Sequence, residues 1–220
     1  MLGMKIMPSS KRANTFSTLL QRVFNMRLIS AFFLSFLILV SGCTSLPKAP
    51  QNTQKLDRLY IEEDIFLETP SLFPLPFQGV FLQNLTARFQ ARSHSFSIHL
   101  ALSPQNFKAV AFNDIAGQLY DLNWNSNALT WSASNYLPKQ LKPEKILSDF
   151  LLVALPLDTL KKHLHGAIVS EKNGLRVISI GNKTIREIRR TEPSGLFWKH
   201  IVLKNTKRGY ELTIQTVELP

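Results

Sequence analysis

Hydrophobic and polar side chains alternate with a period of two along most of the chain after residue 84. In residues 85–92, Leu85, Ala87, Phe89 and Ala91 alternate with polar residues, as in 95–102. Seven further segments bounded by turn residues continue this strand pattern: 107–112, 118–124, 128–133, 174–180, 183–190, 197–204 and 209–218. Such alternation is typical of antiparallel strands with one buried face and one solvated face. The sequence therefore predicts about nine strands.

The apolar spacing changes to three and four residues after Lys142-Pro143-Glu144. Proline suits the first helical position, so the pattern predicts an amphipathic helix that begins at Pro143 and ends near Pro156. A second short helix is predicted over 157–165, with Gly166 as its C-terminal stop. Because a sheet of about nine strands tends to curl, the helices fit across its concave face. We predict a mainly β (α+β) fold, a curved antiparallel half-barrel with a short helical pair as a lid.

An uncharged apolar run, 28–40, precedes Ser41-Gly42-Cys43 and follows Met26-Arg27. A transmembrane helix needs about 20 apolar residues, so a cleaved signal peptide over 1–42 is the better interpretation. The true start is either Met1, with a long positive region, or Met26, which gives a signal of ordinary length. Cys43, the single cysteine, fits a bacterial lipobox, whose thiol receives a lipid. We therefore expect a lipid-anchored protein.

Thr44 stands where the enterobacterial sorting rule would need an aspartate for retention in the inner membrane. We therefore expect the outer membrane, with the domain facing the periplasm and bound to the lipid bilayer through Cys43. Residues 43–76 are predicted to be the lipidated N-terminus and a flexible tether, with 57–67 as a short helix or an extended lead-in. Residues 77–220 form the predicted lipid-binding domain.

The formal charge falls from +11 to +6 when residues 1–42 are removed, because they hold five basic residues and no acidic one. A modest positive surface suits a solvated exterior or anionic lipid headgroups. No basic cluster is interleaved with aromatic residues, so no nucleic-acid partner is expected. A single lipidated cysteine excludes an internal disulfide.

Catalytic and metal-binding patterns are weak. The chain has no G-x-S-x-G string. His163 and His165 form an H-x-H pair without a third ligand, so we interpret both as surface residues, and His99 as solvent-exposed on a strand. Glu62, Glu63 and Asp64 are interpreted as a solvated acidic face. We expect no enzyme activity, no cofactor and no metal.

The aromatic content suggests two alternatives for the interior, ordinary core packing or a cavity. A half-barrel with two short helices is difficult to fill with side chains, which favours the cavity. The residues predicted to line it are Phe89, Phe96, Ile98, Leu100, Trp124, Trp131, Phe150, Leu160 and Trp198.

The order of strands, helical run and strands resembles the outer-membrane lipoprotein receptor LolB and its periplasmic partner LolA. The segment 156–166 is similar to the P-L-x-x-L-x-x-W-L-x-G string of LolB, with His163 in place of tryptophan. The resemblance implies a half-barrel that accepts acyl chains. It also implies a protruding loop that passes cargo into the membrane, where LolB has N-P-L-G. That loop here is 113–117, with Ile115 as its aliphatic tip and Asp114 in place of proline.

The chain is still more similar to uncharacterised lipoproteins, related to LolB, whose genes lie among aryl-polyene and fatty-acid-type biosynthesis clusters. The strings Leu137-Pro138, 143–149 and 155–157 carry this resemblance. It implies transport or insertion of a lipid-like product. We therefore expect a monomeric carrier of an acyl or polyene ligand at the outer membrane, served by a periplasmic LolA-like carrier. The alternative is a scaffolding lipoprotein of an envelope complex that binds no ligand.

Overall fold

The computed structural model describes residues 52–138, 141–194 and 197–220. The signal segment and Cys43 lie outside these ranges. The first eight strands are β1 (Asn52–Gln54), β2 (Arg58–Glu62), β3 (Ile65–Glu68), β4 (Gly79–Phe89), β5 (Arg92–Ser103), β6 (Asn106–Asn113), β7 (Gly117–Asn125) and β8 (Leu129–Ala133), with a 3-10 turn at Pro70–Leu72. After them come α1 (Pro143–Ala154), α2 (Leu157–His163), β9 (Leu164–His165), β10 (Ile168–Lys172), β11 (Leu175–Ile180), β12 (Lys183–Ser194), β13 (Phe197–Asn205) and β14 (Tyr210–Leu219).

Eleven strands in the described ranges form one antiparallel sheet, in the order β1-β8-β7-β6-β5-β4-β14-β13-β12-β11-β10. The pairing of β4 with β14 joins the strands before the helices to those after them. Because β1 and β10 are edge strands that do not pair with each other, the curved sheet is open. This confirms the predicted half-barrel with a helical lid. All nine predicted strands are present, and the short strands β1 and β10 are additional.

The alternation predicted from the sequence separates the two faces of this sheet. On β5, Ile98, Leu100 and Leu102 are buried, whereas the intervening His99 is exposed. Strand β4 ends at Phe89, earlier than predicted, because Gln90 has a positive φ of 56° and turns the chain into β5. The apolar positions of the strands therefore meet on the inner face, under the helices.

Residues 56–77 differ from the predicted tether. Strands β2 and β3 pair with each other, and β3 pairs with β9 to make a second sheet. Leu59, Ile61 and Leu67 are fully buried in the same core as the main sheet. The segment is extended rather than helical, and the folded domain begins well before residue 77. Its short apolar alternation was masked by three nearby prolines.

The two helices lie close to their predicted positions. Helix α1 begins at Pro143, and its buried face includes Leu147 and Leu151. Helix α2 ends at His163 rather than at residue 165, because β9 follows at once. Gly166 has φ 79°, and a side chain there would overlap the carbonyl oxygen of Asp64. No helix in the described ranges is long and apolar enough to cross a membrane.

Candidate functional site

The nine residues predicted to line a cavity fall into three groups. Four are buried in the continuous core: Ile98, Leu100, Trp124 and Leu160. Four are partly buried and pack against that core: Phe96, Trp131, Phe150 and Trp198. Phe89 is half exposed at the end of β4. The structure therefore places eight of them in or against one core and leaves Phe89 at the end of the central strand β4.

Phe150 of α1 lies at the centre of an aromatic cluster between the helix and the inner face. Its ring centroid is 4.6 Å from that of Phe107 on β6, 5.8 Å from Phe77 and 6.0 Å from Phe197 on β13. Phe81 on β4 packs edge-on against Phe197 at 4.6 Å. Apart from Phe150, sequence reasoning did not select these residues. The middle of α1 thus covers the sheet with these rings, which we call the phenylalanine cluster, together with the buried side chains of Leu147 and Leu151.

The C-terminal end of α1 is bound to the sheet by Glu171, Arg176 and Arg190, which we call the C-terminal clamp. Arg176 Nη1 donates to Leu152 O at 2.6 Å and to Val153 O at 3.3 Å, and Arg190 Nη1 donates to Val153 O at 3.4 Å. Both guanidinium groups also bind the Glu171 carboxylate. Burial, and then the neighbouring Arg190, lower the Arg176 pKa. Since α1 has no basic residue in its own last turn, these arginines supply the positive charge that its carbonyl end favours.

The first turn and the middle of α1 meet a second group of polar residues, which we call the N-terminal cluster: Glu62, Lys145, Asp149, Arg186 and Tyr210. Arg186 Nη2 donates to Glu62 Oε1 at 3.0 Å, and Lys145 Nζ donates to Ile61 O at 2.6 Å. The Tyr210 hydroxyl donates to Asp149. Glu62 also lies near two partly exposed cations, Lys207 and Arg208.

The two carboxyl groups of the N-terminal cluster have pKa values displaced in opposite directions. Burial raises the Asp149 pKa, and the hydrogen bond from Tyr210 only partly opposes this. Burial alone would also raise the Glu62 pKa, but hydrogen bonds and charges from Arg186 and Arg208 outweigh it and lower the pKa. Glu62 is therefore a buried ion-pair partner, which corrects its interpretation as part of a solvated face.

The loop between β6 and β7 presents Ile115 with 93% of its surface exposed. The side-chain Oδ1 of Asn113 accepts the backbone N–H groups of Ile115 at 3.2 Å and Ala116 at 2.7 Å. This local capping fixes the loop without covering its tip. Ile115 is therefore an exposed aliphatic tip, and its role in cargo transfer stays a prediction.

Two cavities bear on ligand binding in the described ranges. A shallow groove of about 390 Å³ lies on the outer face, beside the Ile115 loop, and is lined mostly by hydroxyl and amide side chains such as Asn84, Ser97 and Gln215. A space of about 10 Å³ lies beside Phe81 and Phe197, next to the phenylalanine cluster. The latter is close to the smallest volume that holds one water molecule. Leu147 and Leu151 of α1 and Phe107 beneath it expose almost no surface, so side chains fill the region under the middle of α1 in this conformation.

The two histidines of the H-x-H string differ in burial, and His163 is not the surface residue that the sequence predicted. His163 is buried, because α2 packs this side against the core, whereas His165 stacks on Phe66 and lies 3.2 Å from Glu68. Within the described ranges, no group of three His, Cys, Asp or Glu side chains is arranged to hold a metal ion.

The buried arginines were missed at the sequence level. Arg186, Ile188 and Arg190 occupy every second position on β12 and are all buried. Arg176 and Ile178 have the same spacing and burial on β11. A charged residue in the apolar phase of a strand is a signal for a buried ion pair, and it was present in the sequence. What the pattern lacks is the partner, since Glu171 and the carbonyls of α1 come from other elements.

Comparisons with known proteins complete the description. A family model described as "Protein of unknown function (DUF3261)" matches residues 81–218. No curated protein matches the chain. Among solved structures, a LolA superfamily protein from Nitrosomonas europaea aligns at 8% sequence identity, with a TM-score of 0.37, over 70% of this chain and 91% of that protein.

Proposed function

The chain belongs to the DUF3261 family of proteins of unknown function, and on that premise we propose that it is a carrier for an acyl or polyene ligand. The ligand binds between α1 and the inner face of the sheet. Cys43 carries the lipid that anchors the protein to the outer membrane, facing the periplasm. The protein acts as a monomer, receives cargo from a LolA-like periplasmic carrier, and needs no catalytic step.

The observation that carries this proposal is the way α1 covers the inner face. Its middle contacts the sheet mainly through the phenylalanine cluster and buried leucines, with the hydrogen bond of Asp149 to Tyr210 beside them. Its other polar contacts lie toward its two ends. An acyl chain that replaces the ring contacts of Phe150 keeps that interface apolar. A helix fastened by its ends over an apolar surface is well suited to lift and to close again.

Ligand entry requires α1 to move, since side chains fill the space beneath it. Burial of roughly ten methylene groups contributes about 8 kcal/mol. Each hydrogen bond to a charged group contributes about 1.5–3 kcal/mol. An acyl chain therefore gains enough to offset the loss of two or three polar contacts at one end of α1. Asp149 Oδ1 and Arg186 Nε are buried 3.7 Å apart, so this ion pair contains no hydrogen bond that opening would have to break.

Native mass spectrometry with lipid extraction, on the full chain purified from its own host, tests the proposal. We expect a co-purifying acyl or polyene species that is depleted in Phe150→Ala. The matched control is Phe112→Ala, because Phe112 lies on the outer face of β6. A clean apo mass, together with no binding of a fluorescent fatty acid, would contradict the carrier function.

The filled interior also favours a second candidate, a scaffolding lipoprotein that binds no ligand. A scaffold needs a stable surface and gains nothing from an opening helix. The same experiment separates the two functions. If Phe150→Ala and Phe112→Ala both lack ligand, as the unaltered chain does, the scaffold becomes the better proposal.

Replacement of the anchor residue tests the localisation. We expect Cys43→Ala to lose stable membrane attachment, because a lipid chain supplies the binding energy. The domain should still fold, since its buried core lies between Leu59 and Ile214. Cell fractionation and circular dichroism measure the two properties. An unfolded domain would contradict the prediction, as would an unchanged membrane fraction.

Replacement of the loop tip tests cargo transfer. We expect Ile115→Asp to slow transfer of a bound fluorescent acyl probe to vesicles, because a charged tip resists entry into the bilayer. Its free energy of unfolding should change by less than about 0.5 kcal/mol, since the side chain is exposed. Gln105→Asp, at the opposite end of the sheet, is the control. Equal transfer rates for both variants would remove Ile115 from the site.

A further inference from the structure

The connections between strands fall at two opposite ends of the main sheet. At one end are the connections 90–91, 114–116, 181–182 and 206–209, and we call them, with two residues on either side, the basic rim. At the other end are 104–105, 126–128 and 173–174, which with the same margins form the neutral rim. Both rims are formed by turns between neighbouring strands of one sheet, so the differences between them come from their side chains.

Large exposed apolar side chains concentrate at the basic rim. Ile115 is 93% exposed, Phe89 50% and Ile180 44%, and the neighbouring Ile168 at the start of β10 is 64% exposed. In the described residues of the neutral rim no large apolar side chain is exposed, and its turns read Pro104-Gln105, Ser126-Asn127 and Asn173-Gly174. Near that end of the sheet Val217 is 55% exposed, so the basic rim has the larger group of exposed apolar side chains. Exposed apolar residues grouped in this way mark an interaction surface.

Charge follows the same division. The basic rim has two carboxylates, the exposed Asp114 and the half-buried Glu211, and a larger set of cations: Arg88, Arg92, Lys183, Lys204, Lys207 and Arg208. Glu211 lies near Arg88 and Lys204, and the buried Glu62 lies near Lys207 and Arg208. Within the described ranges, Arg92 and Lys183 form no ion pair. At the neutral rim, the charged residues are Glu171, Arg176 and Lys172, and the first two are paired.

We propose that the basic rim docks on a bilayer surface that contains anionic lipids. Aliphatic and aromatic tips ringed by arginine and lysine suit the boundary between headgroups and acyl chains. Each cation near an anionic membrane surface raises the docked-to-undocked ratio by roughly fivefold. Asn113 satisfies two backbone donors of the Ile115 loop, so this loop enters an apolar layer without exposing them. The inference rests on the proposed function only in treating Ile115 as a membrane-contacting residue.

Asp114 opposes this docking, because it is an exposed carboxylate next to the most exposed apolar tip. The proposal therefore predicts opposite effects on docking when Asp114 is replaced and when the cations are replaced. Asp114→Asn should strengthen docking on anionic lipid, whereas loss of Arg92 or Lys183 should weaken it. A surface whose charges serve only solubility would show neither effect.

Hydrogen exchange on the full chain in nanodiscs tests the proposal, with the neutral rim as an internal control. In discs that mix phosphatidylcholine and phosphatidylglycerol, we expect slower exchange at 88–93, 112–118 and 179–184 than in discs of phosphatidylcholine alone. Exchange at 102–107 and 124–130 should be the same in both. High salt should remove the difference, because exposed charges are screened. Equal exchange in the two lipids would overturn the proposal, as would equal protection of both rims.

Variants give the second readout. Arg92→Glu combined with Lys183→Glu should abolish the lipid-dependent protection, and Lys172→Glu at the neutral rim should leave it unchanged. Asp114→Asn should increase it by roughly fivefold in the docked-to-undocked ratio. Unchanged protection in the double variant would overturn the proposal. Binding of a fluorescent fatty acid, measured in parallel, reports on the cargo site alone and so separates failure of the rim from failure of the carrier function.

Discussion

The two ends of helix α1 are fastened to the rest of the domain in different ways. The C-terminal clamp brings two buried arginines to one carboxylate and to the carbonyls of Leu152 and Val153. The N-terminal cluster brings Glu62 to Arg186 in the interior and to Lys207 and Arg208, whose side chains are 45% and 39% exposed. The C-terminal clamp sets two buried arginines against one carboxylate that is 21% exposed, so it has an excess of positive charge. The N-terminal cluster also has a buried ion pair, but two of the cations beside Glu62 are in contact with water.

This difference determines which end of α1 opens more easily. A buried charge that loses its partner is strongly destabilising, whereas partly exposed ion pairs contribute little because water screens them. Both carboxyl groups with displaced pKa values, Glu62 and Asp149, belong to the N-terminal cluster. We infer that the C-terminal clamp is the fixed end, and that the N-terminal cluster is the end that responds to pH and releases first.

The largest effect is expected from Arg176→Met at the fixed end. Methionine keeps part of the side-chain volume but removes the donors to Leu152 O and Val153 O, and it leaves Arg190 as the remaining cation beside Glu171. We expect the free energy of unfolding to fall by about 3 kcal/mol. Urea denaturation measures this change.

Arg189→Met is the matched control for that variant. Arg189 lies on β12 next to Arg190, pairs in register with Leu175, and is exposed. Its loss should change the free energy of unfolding by less than about 0.5 kcal/mol. If the two variants are equally stable, the C-terminal clamp does not hold the helix and the comparison between its ends fails.

A smaller effect is expected from Glu62→Gln in the N-terminal cluster. At neutral pH we expect a loss of about 1.5–3 kcal/mol, because Arg186 loses a charged hydrogen-bond partner. The pKa of Glu62 is lowered from 4.5 in the folded state. Its stabilisation is therefore fully present above about pH 4.5 and is lost as the pH falls through the lowered folded-state value. The variant should lack this acid-dependent loss.

Urea denaturation at several pH values measures both the loss of stability at neutral pH and its dependence on acid. Glu63→Gln is the control, since Glu63 is exposed. The raised pKa of Asp149 acts in the opposite direction, because protonation of that carboxyl favours the folded state as the pH falls. The unaltered chain should therefore lose less stability in acid than Glu62 alone would imply. A Glu62→Gln variant with the same acid dependence as the unaltered chain would show that another group controls it.

Local patterns in the sequence were enough to predict the main sheet and both helices. Period-two alternation depends only on which face of a strand is buried, and Pro143 and Pro156 mark the helix ends directly. Segment 56–77 was missed because Leu59, Ile61 and Leu67 occupy short strands among prolines, and their burial depends on a sheet completed by β9, about a hundred residues later. A pairing at that separation leaves no local signal.

The candidate site was predicted less completely than the fold. Phe150 could be selected because an amphipathic helix shows which residues face inward, and Ile115 because the resemblance to LolB pointed to the loop 113–117. The partners of Phe150, and the ion pairs at both ends of α1, come from strands that meet only in three dimensions. The arginines in the apolar phase of β11 and β12 were visible, but their role depends on the carbonyl end of α1. Anchoring at Cys43 stays a prediction from sequence.

The smallest effect is expected from Lys145→Met, which tests whether the N-terminal cluster is the releasing end. Lys145 Nζ donates to Tyr60 O at 3.1 Å and Ile61 O at 2.6 Å, and burial, followed by the charge of Arg208, lowers its pKa. Methionine retains the apolar stem, and water can replace the ammonium at the exposed Tyr60 carbonyl. We therefore expect a loss of about 1 kcal/mol, below that of a fully buried charged hydrogen bond. Hydrogen exchange should then rise in the first turns of α1 while the amides near Leu152 stay protected, and Lys161→Met on the exposed side of α2 should change neither. If exchange rises equally along α1, the helix opens as a unit. The different polar contacts at its two ends would then not determine which end opens first.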